Sequence, residues 1–183
     1  MRVLIVYGST EGYTRKLATF VAGHLSENGH ATTLIDATDQ PSPVKVDAFD
    51  AILVAASVHL GHYQSAVIHF VQRNHDKLNA RKAGFISVSL SAASDDRDDQ
   101  EGVRRCVAEF SRETQWEPSE VHHAGGALRF TQYDFFKRWA LKYIAYRRGA
   151  STDTGIDHEY TDWEALTVFV DQFVAKRAQE RAL

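Results

Sequence analysis

The stretch VYGSTEGYTRKLA, residues 6–18, decides the fold. Val6 and Tyr7 end a short apolar run, RVLIVY, whose β-branched residues predict a buried strand. A loop of glycines and small hydroxyl residues follows, and apolar residues then recur at helical spacing. A strand that passes through such a loop directly into a helix is the unit from which parallel α/β sheets are built.

The loop GSTEGYT, residues 8–14, lacks the usual nucleotide-binding signatures. It has neither the G-x-G-x-x-G spacing of a dinucleotide site nor the Gly-Lys-Ser/Thr of a P-loop. What remains is a set of backbone N–H groups at a helix N-terminus, with the hydroxyls of Ser9, Thr10 and Thr14 and close backbone approach at Gly12. These groups favour a single phosphate. The alternative is an ordinary strand-to-helix turn that Ser and Thr side chains cap.

The rest of the chain alternates between predicted strands and helices. The other apolar runs that predict strands are HATTLID (30–36), FDAILVAA (49–56), AGFISVSL (83–90) and EVHHAGGAL (120–128). Helical spacing predicts helices over 13–28, 65–78, 102–115 and roughly 132–148. A last helix is predicted to start at a capping box of Thr161 and Glu164. This alternation predicts one α/β domain over residues 1–183, with a parallel sheet and helices on both faces.

Composition narrows the class of protein. The 183 residues are 44% hydrophobic with a net charge of −3, which fits a globular domain and gives no general reason to expect nucleic-acid binding. The single Cys106 cannot form an internal disulfide, which is typical of a reducing compartment. No apolar run approaches the roughly 18 residues of a membrane span. We therefore expect a cytoplasmic protein.

STEGYT after the first strand resembles the phosphate loop of the flavodoxins, which holds the FMN phosphate. Four further segments resemble, in order, the flavodoxin-type, menaquinone-dependent protoporphyrinogen IX dehydrogenase family: 56–79, GALRF (126–130), TDT (152–154) and YTDWE (160–164). The resemblance implies a flavodoxin-like, doubly wound five-stranded sheet of order 2-1-3-4-5, with an extra helix between strand 5 and the last helix. It also implies FMN as cofactor, oxidation of protoporphyrinogen IX to protoporphyrin IX, and menaquinone or ubiquinone as electron acceptor.

Three loops carry the FMN contacts that we predict. The phosphate is expected at Ser9, Thr10, Gly12, Tyr13 and Thr14, and at the backbone amide of Glu11, whose carboxylate would repel a dianion. The flavin ring is expected against the loops after strands three and four, at Ala56, Ser57, Val58, His59, Gly61, His62, Tyr63, Ser89, Leu90, Ser91 and Ala92. His59, His62 and Tyr63 are the candidate walls, and Gly61 allows a close backbone contact. No catalytic acid or base stands out.

Two observations bear on what else these loops bind. His59 and His62 have an H-x-x-H spacing that can bind zinc, but no third ligand is evident nearby, so no metal is predicted. Two surface histidines in a loop are a further alternative. Residues 89–94 after strand four contain no aromatic residue, which leaves one face of the ring for a bulky substrate.

Charge is concentrated in two segments. SDDRDDQE (94–101) is acidic where members of the resembled family are basic; it predicts a solvated loop that repels porphyrin carboxylates and anionic lipid. Residues 128–148 are basic and aromatic. They fit packing on the core, a helix on an anionic membrane surface, or a quinone or porphyrin cleft in which Arg129, Lys137 and Arg138 bind carboxylates.

Two other functional classes stay open at this point. One is an FMN electron carrier or quinone reductase without porphyrinogen activity, which the acidic segment favours and the extra helix disfavours. The other is a flavin-free scaffold or a receiver-like signalling domain. A receiver is disfavoured because no paired acids follow the first strand and no phosphoacceptor aspartate ends the third.

Overall fold

The computed structural model describes residues 1–39, 44–128 and 158–181. Within them, five strands form one parallel sheet of order β2-β1-β3-β4-β5: β1 Arg2–Gly8, β2 Ala31–Asp36, β3 Ala51–Ser57, β4 Gly84–Ser89 and β5 Glu120–Gly125. The helices of this part of the chain are α1 Tyr13–Glu27, α2 Ser65–Ala80, α3 Arg97–Thr114 and α4 Trp163–Arg181. The predicted doubly wound α/β fold is confirmed. The helix predicted over 132–148 lies outside the described residues.

The sheet has a core on each face because its central strands are apolar on both sides. Along β1, Val3 and Ile5 point to one face and Leu4 and Val6 to the other, and all four side chains are fully buried. Helices α1 and α4 cover the first face, and α2 and α3 cover the second. With both faces covered, the ends of the strands are left for a ligand.

The strand order creates a crevice at the carboxyl ends of β1 and β3. Strand β2 pairs with one edge of β1 and β3 pairs with the other edge, so the connections leave β1 and β3 in opposite directions. In open parallel sheets, ligands bind at such a switch point. The loops after β1, β3 and β4 meet there.

Helix α3 begins at Arg97, not at 102 as predicted. Asp96 caps it, because its carboxylate accepts hydrogen bonds from the N–H groups of Asp98 at 2.8 Å and Asp99 at 3.3 Å. Acidic side chains in a first turn also offset the positive end of the helix dipole. From Arg97 onward the acidic segment 94–101 is therefore the start of a helix, and the expectation of a solvated loop is wrong there.

The start of α4 also differs from the prediction. Asp162 caps this helix: its Oδ1 accepts the N–H of Ala165 at 2.9 Å. The hydroxyl of Thr161 donates instead to the carbonyl oxygen of Gly125. The predicted capping box of Thr161 and Glu164 is wrong, because Thr161 ties α4 to the end of β5.

The predicted fifth strand over 120–128 is divided in two. After β5, a short strand β6 (Ala127–Leu128) pairs antiparallel with β7 (His158–Glu159) and forms a two-stranded ribbon. No helix in the described part of the chain is long and apolar enough to cross a membrane.

Candidate functional site

A cavity of about 840 Å³ lies at the carboxyl ends of β1, β3 and β4. Its volume is that of a site for a cofactor-sized molecule. The structure brings together most of the predicted site residues on its walls: Ser9, Thr10, Glu11, Tyr13, Thr14, Ser57, Val58, His59, Gly61, His62, Ser89, Leu90 and Ser91. The three loops singled out from the sequence therefore share one cavity.

The N-terminus of α1 forms one end of this cavity. Gly12 precedes the helix with a φ of 82°, and no described side chain caps the first backbone amides. The first turn contains no acidic residue. Thr14, only 1% exposed, lines the cavity together with Ser9 and Thr10. Free N–H donors, hydroxyls and the helix dipole together make a site for an anion of phosphate size.

Gln64 holds the loop after β3 against the phosphate loop. Its side-chain oxygen accepts the N–H of Ser57 at 3.2 Å, and its side-chain nitrogen donates to Ser57 Oγ at 2.5 Å and to Thr10 Oγ1 at 3.4 Å. These bonds couple the two loops that form opposite parts of the cavity. Sequence reasoning missed Gln64; its position just before α2, after a buried strand, was the available signal.

The loop after β3 makes a two-residue turn beside the cavity. The N–H of His59 donates to the carbonyl of His62 at 2.8 Å, and the N–H of His62 donates to the carbonyl of His59 at 3.0 Å. Leu60 and Gly61 between them have φ values of 51° and 85°, as a type I′ turn requires. The side chain of Leu60 is 84% exposed. All four residues of this turn line the cavity.

Tyr63 does not form a wall of the cavity, contrary to the expectation from the sequence. The side chain is 6% exposed, and its ring packs against Phe85 and Phe110. Its Oη lies 2.7 Å from Ser87 Oγ. Burial raises the pKa of Tyr63, so the phenol is a neutral, hydrogen-bonded core group. The expectation was wrong because the chain turns into α2 directly after Tyr63 and buries the ring in the core.

Three further predicted residues are not among those that line the cavity. Ala56 is fully buried within β3, and Gly12 forms the turn into α1. The N–H of Ala92 donates to Ser89 Oγ at 3.1 Å and stabilises the short helical turn after β4. Direct contact of these three residues with FMN stays a prediction.

Helix α3 supplies a cavity wall that sequence reasoning missed. The residues that face the cavity recur at helical spacing: Asp98, Asp99, Gly102, Val103, Arg105, Cys106 and Glu109. Gly126 and Ala127, just beyond β5, complete the cavity. The available signal was the helical spacing of the residues from Asp98 to Glu109. It was overlooked because residues 94–101 were expected to form an acidic loop.

Tyr13 is the one Phe, Tyr or Trp among the described residues that line the cavity. Burial raises the pKa of its phenol, which therefore stays protonated at neutral pH. The loop after β4 contributes Leu90 and Ser91. No aromatic residue of this described loop lines the cavity.

Within residues 1–39, 44–128 and 158–181, no group of three or more His, Cys, Asp or Glu side chains could hold a metal ion. The geometry there gives no support to a zinc site at His59 and His62. Arg129, Lys137 and Arg138 lie outside the described residues.

The sheet order and the cavity at the β1/β3 switch point define a flavodoxin-type domain. The flavodoxin domain family model matches residues 4–155. The Streptococcus pneumonia TIGR4 flavodoxin superposes with a TM-score of 0.58 at 17% identity, covering 96% of this chain and 99% of that one. This likeness concerns the fold.

Sequence relatives are more specific. Protoporphyrinogen IX dehydrogenase [quinone] of Escherichia coli (strain K12) is 30% identical over 169 residues, 92% of this chain and 92% of its own. The Leishmania major protein of the same name is 30% identical over 175 residues, 95% of this chain and 75% of its own. The chain belongs to the flavodoxin domain family and, within it, to the flavodoxin-like oxidoreductases of the protoporphyrinogen IX dehydrogenase family.

Proposed function

We propose that the protein uses FMN to oxidise protoporphyrinogen IX to protoporphyrin IX and passes the electrons to a quinone. One observation carries this proposal: the uncapped N-terminus of α1 and the residues of α3 line the same cavity of about 840 Å³. The names of the Escherichia coli and Leishmania major relatives supply the substrate and the acceptor.

The phosphate end of the cavity fits a flavin mononucleotide. FMN carries one phosphate monoester, and the uncapped first turn of α1 offers backbone N–H groups to one anion. Ser9, Thr10 and Thr14 add hydroxyl donors, and Gly12 turns the chain into the helix. Glu11 takes part through its backbone, since its carboxylate would repel the phosphate. Gln64, which bridges Thr10 and Ser57, holds the phosphate loop at a fixed distance from the ring loop.

The ring side of the cavity fits a flat, partly apolar group. The turn at His59–His62 and the residues Leu90 and Ser91 follow neighbouring strands and line the same cavity. When bound, FMN supplies a ring that accepts electrons from one substrate and releases them to another. The protein's own residues orient the ring and keep water from it. We assign no catalytic acid or base among these residues.

The α3 side accommodates the substrate. A flavin carrier that exchanges single electrons needs only an exposed ring edge, whereas a porphyrinogen needs room over the ring. We assign that room to the part of the cavity that Gly102, Val103 and Cys106 line. Contact of residues 128–148 with an anionic membrane, and carboxylate binding by Arg129, Lys137 and Arg138, stay predictions.

One observation favours a second function, that of an FMN electron carrier or a quinone reductase without porphyrinogen activity. Asp98, Asp99 and Glu109 place three carboxylates at the cavity, and an acidic rim suits docking of a basic redox protein. In an electron carrier, the α3 side of the cavity would contact the surface of the redox partner.

Steady-state turnover distinguishes the two functions. The FMN-loaded protein is mixed anaerobically with protoporphyrinogen IX and menadione, a small quinone, and porphyrin fluorescence is followed. We expect porphyrin to form in many-fold excess over protein, and only when the quinone is present. The same protein without FMN is the control. A rate no greater than that of this control would contradict the proposal and leave the electron carrier.

A further inference from the structure

We propose that Arg105 on α3 binds a carboxylate of the porphyrinogen and thereby sets its orientation in the cavity. The inference rests on the proposed function for the substrate class. It adds a specificity-determining residue that belongs to the described cavity, separate from the basic residues predicted in 128–148.

Arg105 is the one lysine or arginine among the described residues that line the cavity. Its side chain is exposed, and within the described part of the chain it has no ion pair and no hydrogen-bond partner. A guanidinium group presents paired N–H donors that match the two oxygens of a carboxylate. Arg105 therefore offers an unused carboxylate site on the α3 wall of the cavity.

The cavity wall beside Arg105 is less polar. Gly102 and Cys106 line the cavity on the same face of α3, and the buried Val103 lines it at the opposite margin of that face. Gly102 lies inside the helix, where glycine is less favourable than alanine. A Cβ atom at this position would contact nothing within 4 Å, so packing does not require a glycine. The glycine leaves a shallow wall that a planar macrocycle can cover.

The acidic residues on α3 limit where a carboxylate can lie. Asp98 and Asp99 lie about 10.5 Å and about 9 Å from Arg105 along the helix axis, at about 1.5 Å per residue. Glu101 and Glu109 each lie about one turn from Arg105, but neither forms an ion pair with it in the described structure. A carboxylate placed at either end of this face would meet like charge. The charge pattern therefore admits a carboxylate at Arg105 and disfavours it at the two ends of the face.

The test compares two porphyrins on the FMN-loaded protein. Protoporphyrin IX, which carries free carboxylates, and its uncharged dimethyl ester are titrated in the same mild detergent, and quenching of porphyrin fluorescence gives each dissociation constant. We expect the wild type to prefer the free acid about tenfold. Arg105→Gln should reduce this preference to about twofold or less while leaving the ester's affinity and the FMN affinity unchanged.

Arg104→Gln is the matched control, because Arg104 is exposed on the same helix but does not line the cavity. It removes the same charge and should keep the wild-type preference. Gly102→Leu should weaken both porphyrins together without changing their ratio. If Arg105→Gln kept the wild-type preference for the free acid, the assignment of Arg105 would be overturned. An equal loss of this preference in Arg104→Gln would overturn it as well. If the wild type binds FMN but neither porphyrin, the proposed substrate is wrong and the inference falls with it.

Discussion

Tyr13 Oη lies 2.6 Å from Thr161 Oγ1, and this contact joins the first turn of α1 to the residue before the cap of α4. The single hydroxyl proton of Thr161 goes to the carbonyl of Gly125, so Tyr13 is the donor to Thr161. The chain of bonds runs from a cavity residue to the end of β5. It ties together three elements that are far apart in sequence.

Removing the hydroxyl of Tyr13 and removing that of Thr161 should therefore lower the free energy of unfolding by different amounts. Tyr13→Phe keeps the ring and leaves Thr161 bonded to Gly125, so we expect a loss of about 1 kcal/mol in the free energy of unfolding. Thr161→Val leaves both the Tyr13 hydroxyl and the Gly125 carbonyl without this partner and should cost about 2 kcal/mol. Urea denaturation of the FMN-free protein measures both. Equal costs would show that the bonds do not form a chain.

The hydroxyl of Thr14 is expected to contribute to phosphate binding. Thr14→Val keeps the shape of the side chain and removes one donor at the end of α1, so FMN affinity should fall about tenfold. Riboflavin, which has no phosphate, should bind the variant and the wild type equally well. Thr33→Val, an exposed change on β2, is the control. Equal losses for FMN and riboflavin would place the phosphate elsewhere.

The turn beside the cavity carries a residue in an unfavourable conformation. Leu60 has a φ of 51°, and its side chain is 84% exposed. Asn-Gly is the preferred pair in a type I′ turn, because asparagine tolerates positive φ better than leucine. Leu60→Asn should therefore raise the free energy of unfolding by about 0.5–1 kcal/mol. Thermal and urea denaturation of the FMN-free protein check this, and a lower stability would mean that Leu60 makes packing contacts that the variant loses.

The sheet and the cavity loops were predictable because short-range patterns carry them. The apolar run of β1 is buried on both faces, and a parallel sheet places the loops after its strands at one edge. The hydroxyl loop at Ser9–Thr14 then leads to the helix end that could bind a phosphate. These features depend on residues that are neighbours in sequence.

Of the features that were missed, the cap of α3 is local, whereas the roles of Thr161 and Tyr63 depend on long-range contacts. Asp96 shows that a run of acids can start a helix, because a cap and the dipole stabilise it. The hydroxyl of Thr161 donates a hydrogen bond to the carbonyl of Gly125, 36 residues away in sequence. The local capping pattern therefore does not determine which group Thr161 bonds. Tyr63 was expected at the ring because its loop leads there, yet tertiary packing against Phe85 buries it.

Two histidines on β5 should make the fold sensitive to acid. Burial lowers the pKa of both His122 and His123, and Nδ1 of His123 is buried with no partner among the described residues. As the pH falls below about 6.5, the unfolded chain takes up protons first, so stability decreases until the pH passes the lowered pKa values. Above that range both histidines are neutral in the folded and the unfolded chain, so they add no pH dependence to stability.

His123→Val removes one of these groups and suits a strand position. When the pH is lowered from about 7.5 to about 5.5, the free energy of unfolding of this variant should therefore decrease less than that of the wild type. Urea denaturation at both pH values measures the difference. Identical losses in the two proteins would rule out His123 as a source of the acid sensitivity.

The most direct test of the account is a single-turnover measurement on the FMN-loaded protein. The protein is mixed anaerobically with one equivalent of protoporphyrinogen IX, and the flavin absorbance is followed before and after a quinone is added. We expect the absorbance to bleach with the porphyrinogen and to return with the quinone. A flavin that stays oxidised in the presence of protoporphyrinogen IX, yet is bleached by a chemical reductant and restored by the quinone, would contradict the proposed substrate.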